Sequence, residues 1–332
     1  MATRFRRVLL AGLMAAALGN SGSLPAQTAQ AVPKVSSLVP AYQPGAPLKS
    51  VLQITGTDEL QDLGEVWNRK FMMFHPQGGV LYLGKLTRDA IADLVAGRHP
   101  MVLTSRELTA DELQKFVTAF GYQPMRIPIC LDANIVFVHP NNPLVDITME
   151  ELDAIYSSTR LGGASIQVTT WGTLGARGEL LNRTINAYSR GEGTATRESF
   201  QAVAMKNGQF RPGILVKEDS SSLTEAVALD PCGIAFGPMA SGSTAVKILP
   251  VVPYNGIDAE FPTQQNVTSS KYPMPRPCFA YVNRTPGLPL DPAIAEFLHF
   301  VLSREGQSTV AEVGLLPAPP EFLDIARVRL DR

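Results

Sequence analysis

The stretch Val51-Leu52-Gln53-Ile54-Thr55-Gly56-Thr57-Asp58-Glu59-Leu60-Gln61, continued to Phe71, decides the fold class. Val51 to Ile54 reads as a short strand, and Thr55-Gly56-Thr57 as the turn that ends it. Asp58 then reads as a helix N-cap, with Gln61 three residues on completing a capping box. Leu60, Leu63, Val66, Trp67 and Phe71 recur at helical spacing and give that helix one apolar face. The same unit returns along the chain. Strands are expected at Val80–Leu83, Met101–Thr104, Ile135–Val138, Ile185–Tyr188 and Cys232–Phe236, with helices at 89–96, 112–120, 148–156, 196–205, 223–229, 292–303 and 306–313. Strands alternating with helices argue for parallel α/β layers, and ligands of such sheets sit beyond the carboxyl ends of the strands. Thr55–Asp58, Gly84–Thr87 and Thr104–Arg106 all follow strands and should converge on one cleft.

Composition bounds what that cleft serves. The 332 residues are 45% hydrophobic and 18% charged, with a formal charge of -1, so the chain is globular and long enough for two domains. No basic stripe interleaved with aromatics is present, which excludes a nucleic-acid binder. Arg4, Arg6 and Arg7 precede eleven apolar residues, Val8 to Leu18, and small-residue cleavage sites follow at Ala26 and Ala31. This is the pattern of a secretory signal peptide, 1–26, and the expected location is the periplasm. Residues 27–47, rich in Pro, Ala, Ser and Gln, read as a flexible linker. The four histidines stand far apart and no CxxC occurs, so no metal site or cofactor is expected. Ser220-Ser221-Ser222 has no accompanying Gly-x-Ser-x-Gly, and the chain is read as a non-enzyme.

Further motifs carry a family resemblance. Val138-His139-Pro140-Asn141-Asn142-Pro143-Leu144, then Thr148, Leu152 to Tyr156 and Trp171-Gly172, form one group. Tyr272-Pro273-Met274-Pro275-Arg276 with Ala280-Tyr281-Val282-Asn283 form a second. Glu296-Phe297-Leu298, Leu302 to Gln307, Val310 and Gly314-Leu315-Leu316-Pro317 form a third. Together, over about residues 50–320, they resemble the phosphate-binding periplasmic proteins of ABC importers. The resemblance implies an α/β, two-lobed type II periplasmic-binding fold with two crossover strands. Lobe I would take residues 48–133 and 280–320, lobe II residues 138–272, and 321–332 would be a C-terminal tail. It also implies a small oxyanion such as phosphate in the inter-lobe cleft, an inner-membrane ABC permease as partner, and a monomer. The alternative is the same fold with its anion site lost, serving as a sensor or protein-interaction scaffold.

The ligand loops that the resemblance assigns are altered. The Gly-x-Thr loop reads Gly56-Thr57-Asp58. The serine-rich second loop reads Gly84-Lys85-Leu86-Thr87. A Ser-Ser-Arg turn survives as Thr104-Ser105-Arg106, and the last loop reads Arg190-Gly191-Glu192-Gly193-Thr194. The expected cleft residues are therefore Thr57, Asp58, Lys85, Ser105, Arg106, Arg190, Glu192, Gly193 and Thr194. Asp58 reads equally as a plain cap, Arg106 and Arg190 as surface ion pairs, and Lys85 and Glu192 as solvated. Near a bound anion, a like charge at ~4 Å costs about 4 kcal/mol at an effective dielectric near 20. Asp58 and Glu192 thus argue against phosphate unless Lys85, Arg106 and Arg190 pair with them. Of the three cysteines, Cys232 is expected as a buried free thiol. Cys130 and Cys278 lie on the two crossover strands, which should be neighbours. A disulfide between them would limit hinge motion, but they are expected several residues out of register, beyond the ~7 Å limit between Cα atoms.

Overall fold

A computed structural model describes residues 33–331. The signal-peptide segment, with both cleavage sites, lies outside the described residues. In chain order the strands are β1 (Val51–Thr57), β2 (Gly79–Lys85), β3 (Met101–Thr104), β4 (Met125–Ala133), β5 (Ile135–Val138), β6 (Ile147–Thr148) and β7 (Asn186–Arg190). They continue with β8 (Leu215–Lys217), β9 (Gly233–Gly237), β10 (Lys247–Leu249), β11 (Val251–Val252), β12 (Pro275–Val282) and β13 (Leu316–Pro317). The helices are α1 (Gln61–Phe74), α2 (Thr87–Val95), α3 (Ala110–Phe120), α4 (Met149–Tyr156) and α5 (Ala195–Ala204). After them come α6 (Ser220–Leu229), α7 (Gln264–Thr268), α8 (Pro292–Val301), α9 (Arg304–Glu312) and α10 (Pro320–Leu330).

Two mixed sheets organise these elements, not the parallel layers expected from the alternation of strands and helices. The strands that cross between the lobes run against their neighbours, β12 against β3 and β4 and β5 against β9. The first has the order β13-β4-β12-β3-β1-β2, and the second β10-β5-β9-β7-β8. The central strands β3, β5 and β9 are buried along their whole length, which is why their sequences run apolar without alternation. On α1, Leu63, Trp67 and Phe71 recur every four residues and are buried. Trp67 packs edge-on against Phe297 of α8, and its Nε1 donates to the Gly306 carbonyl at 2.9 Å. The C-terminal helices therefore belong to the core of the first sheet.

The chain leaves the first sheet at the end of β4, passes Asn134 and enters β5 in the second. It returns along β12, which is antiparallel to β4 from Pro275 opposite Ala133 to Val282 opposite Met125. The junction is fixed by hydrogen bonds. Asn134 N–H donates to the Met274 carbonyl at 3.0 Å, and Tyr272 Oη donates to the Asn134 carbonyl at 2.7 Å. This two-lobed arrangement with two crossings is the expected fold class.

Three local readings are corrected. Thr55-Gly56-Thr57 is not a turn: β1 runs through it, because Gly56 lets the strand lie against its neighbours. A Cβ there would meet the Leu103 carbonyl at 2.5 Å and Tyr82 Oη at 2.3 Å. Described residues 33–47 of the expected linker are coil but anchored, since Val39 and Tyr42 are buried in the first core. Lys34 N–H donates to Gln264 Oε1 at 2.9 Å, and Gln264 Nε2 returns a bond to the Lys34 carbonyl at 3.0 Å. The expected C-terminal tail is helix α10, whose Leu323, Ala326 and Leu330 share one buried face.

In the second lobe, Phe200 of α5 stacks on Phe236 of β9 with ring centroids 3.6 Å apart, and both are fully buried. Phe200→Ala should cost about 3–5 kcal/mol of unfolding free energy in urea. A loss under about 1 kcal/mol would show that α5 is not held by this ring.

Candidate functional site

The carboxyl ends of β1 and β3, the start of α5 and the first residues of β12 meet at the junction between the sheets. After β1 the chain makes a single 3-10 turn, Asp58–Leu60. Asp58 is not the cap expected from sequence: no side chain caps this turn or α1, and Gln61 instead accepts from Gly84 N–H at 3.0 Å. The turn points Asp58 and Glu59 away from their own helix and toward the second lobe.

Glu59 sits in a cage of donors. Oε1 accepts from the Thr196 backbone N–H at 2.9 Å and from Thr196 Oγ1 at 2.5 Å; Oε2 accepts from Ser105 Oγ at 2.9 Å and from the Arg276 guanidinium. Thr196 is the second residue of α5, so its N–H belongs to the positive end of a helix dipole. Arg276 Nη1 also donates to Thr196 Oγ1 at 2.6 Å and to Asn134 Oδ1 at 3.0 Å, and Nη2 to Ser105 Oγ at 3.0 Å. One guanidinium, two hydroxyls and a helix N-terminal amide are the donor set suited to an oxyanion. In this structure the oxyanion is a side chain of the protein itself.

A second carboxylate shares the guanidinium. Asp132 Oδ2 lies 3.0 Å from Arg276 Nη2, and its Oδ1 accepts from the backbone N–H groups of Met239 and Ala133 at 2.9 and 2.7 Å. Glu59, Asp132 and Arg276 are each at most 2% exposed in their side chains. Burial pushes both acids upward. At Glu59, Arg276 and the Thr196 donors outweigh burial and hold the carboxyl below its ordinary range. At Asp132 burial prevails over Arg276 and the two backbone donors, and the pKa is raised. Burial lowers the Arg276 pKa, but Glu59 and then Asp132 outweigh it and raise the net value. Glu59 is therefore the more readily ionised of the two acids.

The residues expected in the cleft divide into three groups. Arg190, which is 2% exposed, donates to Asp58 Oδ2 at 2.7 Å and to Ser220 Oγ at 3.3 Å. Asp58 Oδ1 and Arg190 Nε are buried with no partner among the described residues. Ser105 lies in the Glu59 cage, and Thr57 Oγ1 is held by Thr87 Oγ1 at 3.0 Å. The rest point elsewhere. Arg106 forks onto Glu112 with two 2.8 Å bonds and reaches Glu198 of α5 at 2.5 Å. Lys85 turns to Asp93 at 2.5 Å, Glu192 is exposed, and Thr194 Oγ1 bonds the Gly191 carbonyl at 2.8 Å. Gly193 (φ 82°) supplies the left-handed turn into α5 and accepts from Arg88 N–H at 3.4 Å. Sequence reasoning did not single out Glu59, Asp132, Asn134, Thr196 and Arg276 as site residues. Two signals were available: the consecutive acids Asp58-Glu59 in a loop that the resemblance assigns to the ligand, and Arg276 at the end of the Tyr272–Arg276 motif.

In front of the cage opens a cleft of about 660 Å³ bordered by Asp58, Glu59, Asp62, Asp219, Glu225 and Arg190. Acidic residues outnumber the one arginine along this border, a poor field for a free dianion. Among the described residues no cluster of His, Cys, Asp and Glu could hold a metal ion.

The PBP superfamily domain matches residues 26–305. The phosphate-binding protein PstS of Pseudomonas aeruginosa is 31% identical over 298 residues, covering 90% of this chain and 92% of that protein. The chain belongs to the phosphate-binding protein family of the PBP superfamily. SphX of Synechococcus elongatus is 28% identical over 63% of this chain and 60% of its own length. Two solved structures share the family fold. An ABC-type phosphate transport receptor from Vibrio cholerae has TM-score 0.64 and 23% identity, covering 81% of this chain and all of that one. The periplasmic phosphate-binding protein PfluDING, solved with phosphate, has TM-score 0.63 and 14% identity over 84% and 93% of the two chains.

Removing Arg276 would leave two buried carboxylates without their cation. Arg276→Met should therefore destabilise the protein at pH 7 by about 3–5 kcal/mol in urea titrations. The acid limb tests Glu59 separately. Its folded pKa lies below its unfolded value, so its contribution is complete above roughly pH 4.3 and is lost as pH falls through the folded value. Asp132, raised in the fold, acts in the opposite sense. Glu59→Gln should flatten the stability loss of the wild type between roughly pH 5 and 3. An unchanged acid limb would contradict the assignment of charge to Glu59.

Proposed function

We propose that this chain is a periplasmic two-lobed protein of the phosphate-binding family in which Glu59 takes the place of the bound anion. It serves as a sensor or protein-interaction scaffold and not as a phosphate carrier. The observation that carries this reading is the Glu59 carboxylate, held by Thr196 of the second lobe, Ser105 of the first and Arg276 on the returning strand. A ligand tethered to the chain is present at a high effective concentration, and an incoming phosphate must displace it before it meets any donor. The acidic rim adds repulsion, and Arg190 is already engaged by Asp58.

The relatives support a second reading. Their names are those of phosphate-binding proteins, and an ABC permease would be the partner of a carrier. On that reading Glu59 withdraws when the lobes part and phosphate, or a related oxyanion, takes its donors. In neither reading is the protein an enzyme.

Calorimetric titration at pH 7 separates the two. The wild-type chain should show no saturable phosphate binding up to millimolar concentration. Glu59→Thr, which removes the internal anion and supplies a hydroxyl, should gain at least tenfold in affinity, or ~1.4 kcal/mol. Submicromolar phosphate binding by the wild type would overturn the proposal and make this chain a carrier.

A further inference from the structure

Three cysteines are buried in the structure: Cys130 on β4, Cys278 on β12 and Cys232 just before β9. Cys232 packs in the core of the second lobe. The other two pack in the first core, and the strands that carry them are hydrogen-bonded neighbours. Sequence alone placed this pair out of register. The structure places them in register: Cys278 lies directly opposite Cys130, and the ladder slips only afterwards, between Cys278 and Phe279.

We infer that Cys130 and Cys278 are an oxidation site that forms a cross-strand disulfide between the two strands joining the lobes. Directly opposed residues on antiparallel strands have Cα atoms about 4.5–5.5 Å apart. That lies inside the ~4.4–6.8 Å window of protein disulfides. Both side chains point into the same core, and their thiols are within hydrogen-bonding reach of each other. In the reaction two thiols lose two protons and two electrons and one S–S bond forms. The acceptor is a disulfide such as glutathione disulfide: one thiolate attacks it to give a mixed disulfide, and the second displaces the remaining glutathione thiolate. The thiols are shielded in the folded chain, and the hydrogen bond from its neighbour, followed by burial, pushes Cys278 well up. The exchange therefore belongs to the stage at which β12 comes to lie on β4. Once the core has closed, the same shielding protects the bond from reductants.

The bond would act on the region described above without being part of it. Asp132 lies two residues beyond Cys130, and Arg276 lies two residues before Cys278. Tying the strands at the cysteines fixes the spacing of the two charged partners. The inference does not depend on which solute the cleft takes, or on whether it takes one.

The test uses the full chain refolded from denaturant with reduced and oxidised glutathione. Free thiols are counted in denaturant and the linkage is mapped by peptide mass. The expected result is a fall from three thiols to one, with Cys130 and Cys278 in one linked peptide and Cys232 free. Cys278→Ser treated in the same way should retain two thiols, and reduction should lower the Tm of the wild type but leave that of the variant unmoved. Three thiols in a wild-type chain whose circular dichroism shows it refolded would overturn the inference, as would a linkage that involves Cys232. The wild-type count decides even if the variant does not fold.

Discussion

The structure turns on a single desolvated charge contact, between Glu59 and Arg276. Neither residue could be buried alone, because an isolated ion in a protein interior costs several kcal/mol. Their pairing draws in Thr196 from α5, Ser105 from the end of β3 and Asn134 from the strand junction. These groups come from both lobes and from the connection between them. On the proposed reading, the cage would do for the chain what a captured solute does in a binding protein: supply a common anion on which two separate surfaces agree.

The two acids around Arg276 divide the labour. Asp132 is adjacent to the strand junction and is tied by backbone amides, so its place is fixed by the fold. Glu59 extends from a short turn in the opposite wall and is tied only by groups outside its own segment. The first reads as scaffold, the second as occupant. Asp58 repeats the theme beside it, reaching across to Arg190.

Much of the fold could be read from sequence. The continuous apolar runs of β3, β5 and β9 and the four-residue spacing of Leu63, Trp67 and Phe71 state their environments directly. The anchored arm at 33–47 was missed because its composition is that of a linker; its two anchors, Val39 and Tyr42, are single apolar residues with no periodicity. Helix α10 was missed although Leu323, Ala326 and Leu330 carry a helical repeat, because the resemblance ends near residue 320. The site was harder. Asp58 follows a strand, and that rule located it; Arg190, the last residue of β7, was found through the ligand loops that the resemblance assigns. Glu59 was hidden because its partners, residues 105, 196 and 276, come together only through the tertiary fold. Glu192 drew attention as a charge in a ligand loop, but the left-handed Gly193 that follows turns the chain, and its side chain lies in solvent.

Arg106 has unequal attachments: two bonds to Glu112 on its own lobe and one to Glu198 on the other. Were the lobes to part, the fork would keep the guanidinium with Glu112 and leave Glu198 bare. Glu59 would be stripped of its Thr196 donors in the same movement. Parting Asp58 from Arg190 would bare one acid and one base, so Glu198 and Glu59 tip the balance, and the gaping form would present a more negative mouth than the shut one. Long-range fields govern how fast charged molecules arrive. A cleft of this kind would slow the approach of anions and hasten that of cations, with an effect that weakens as salt is added.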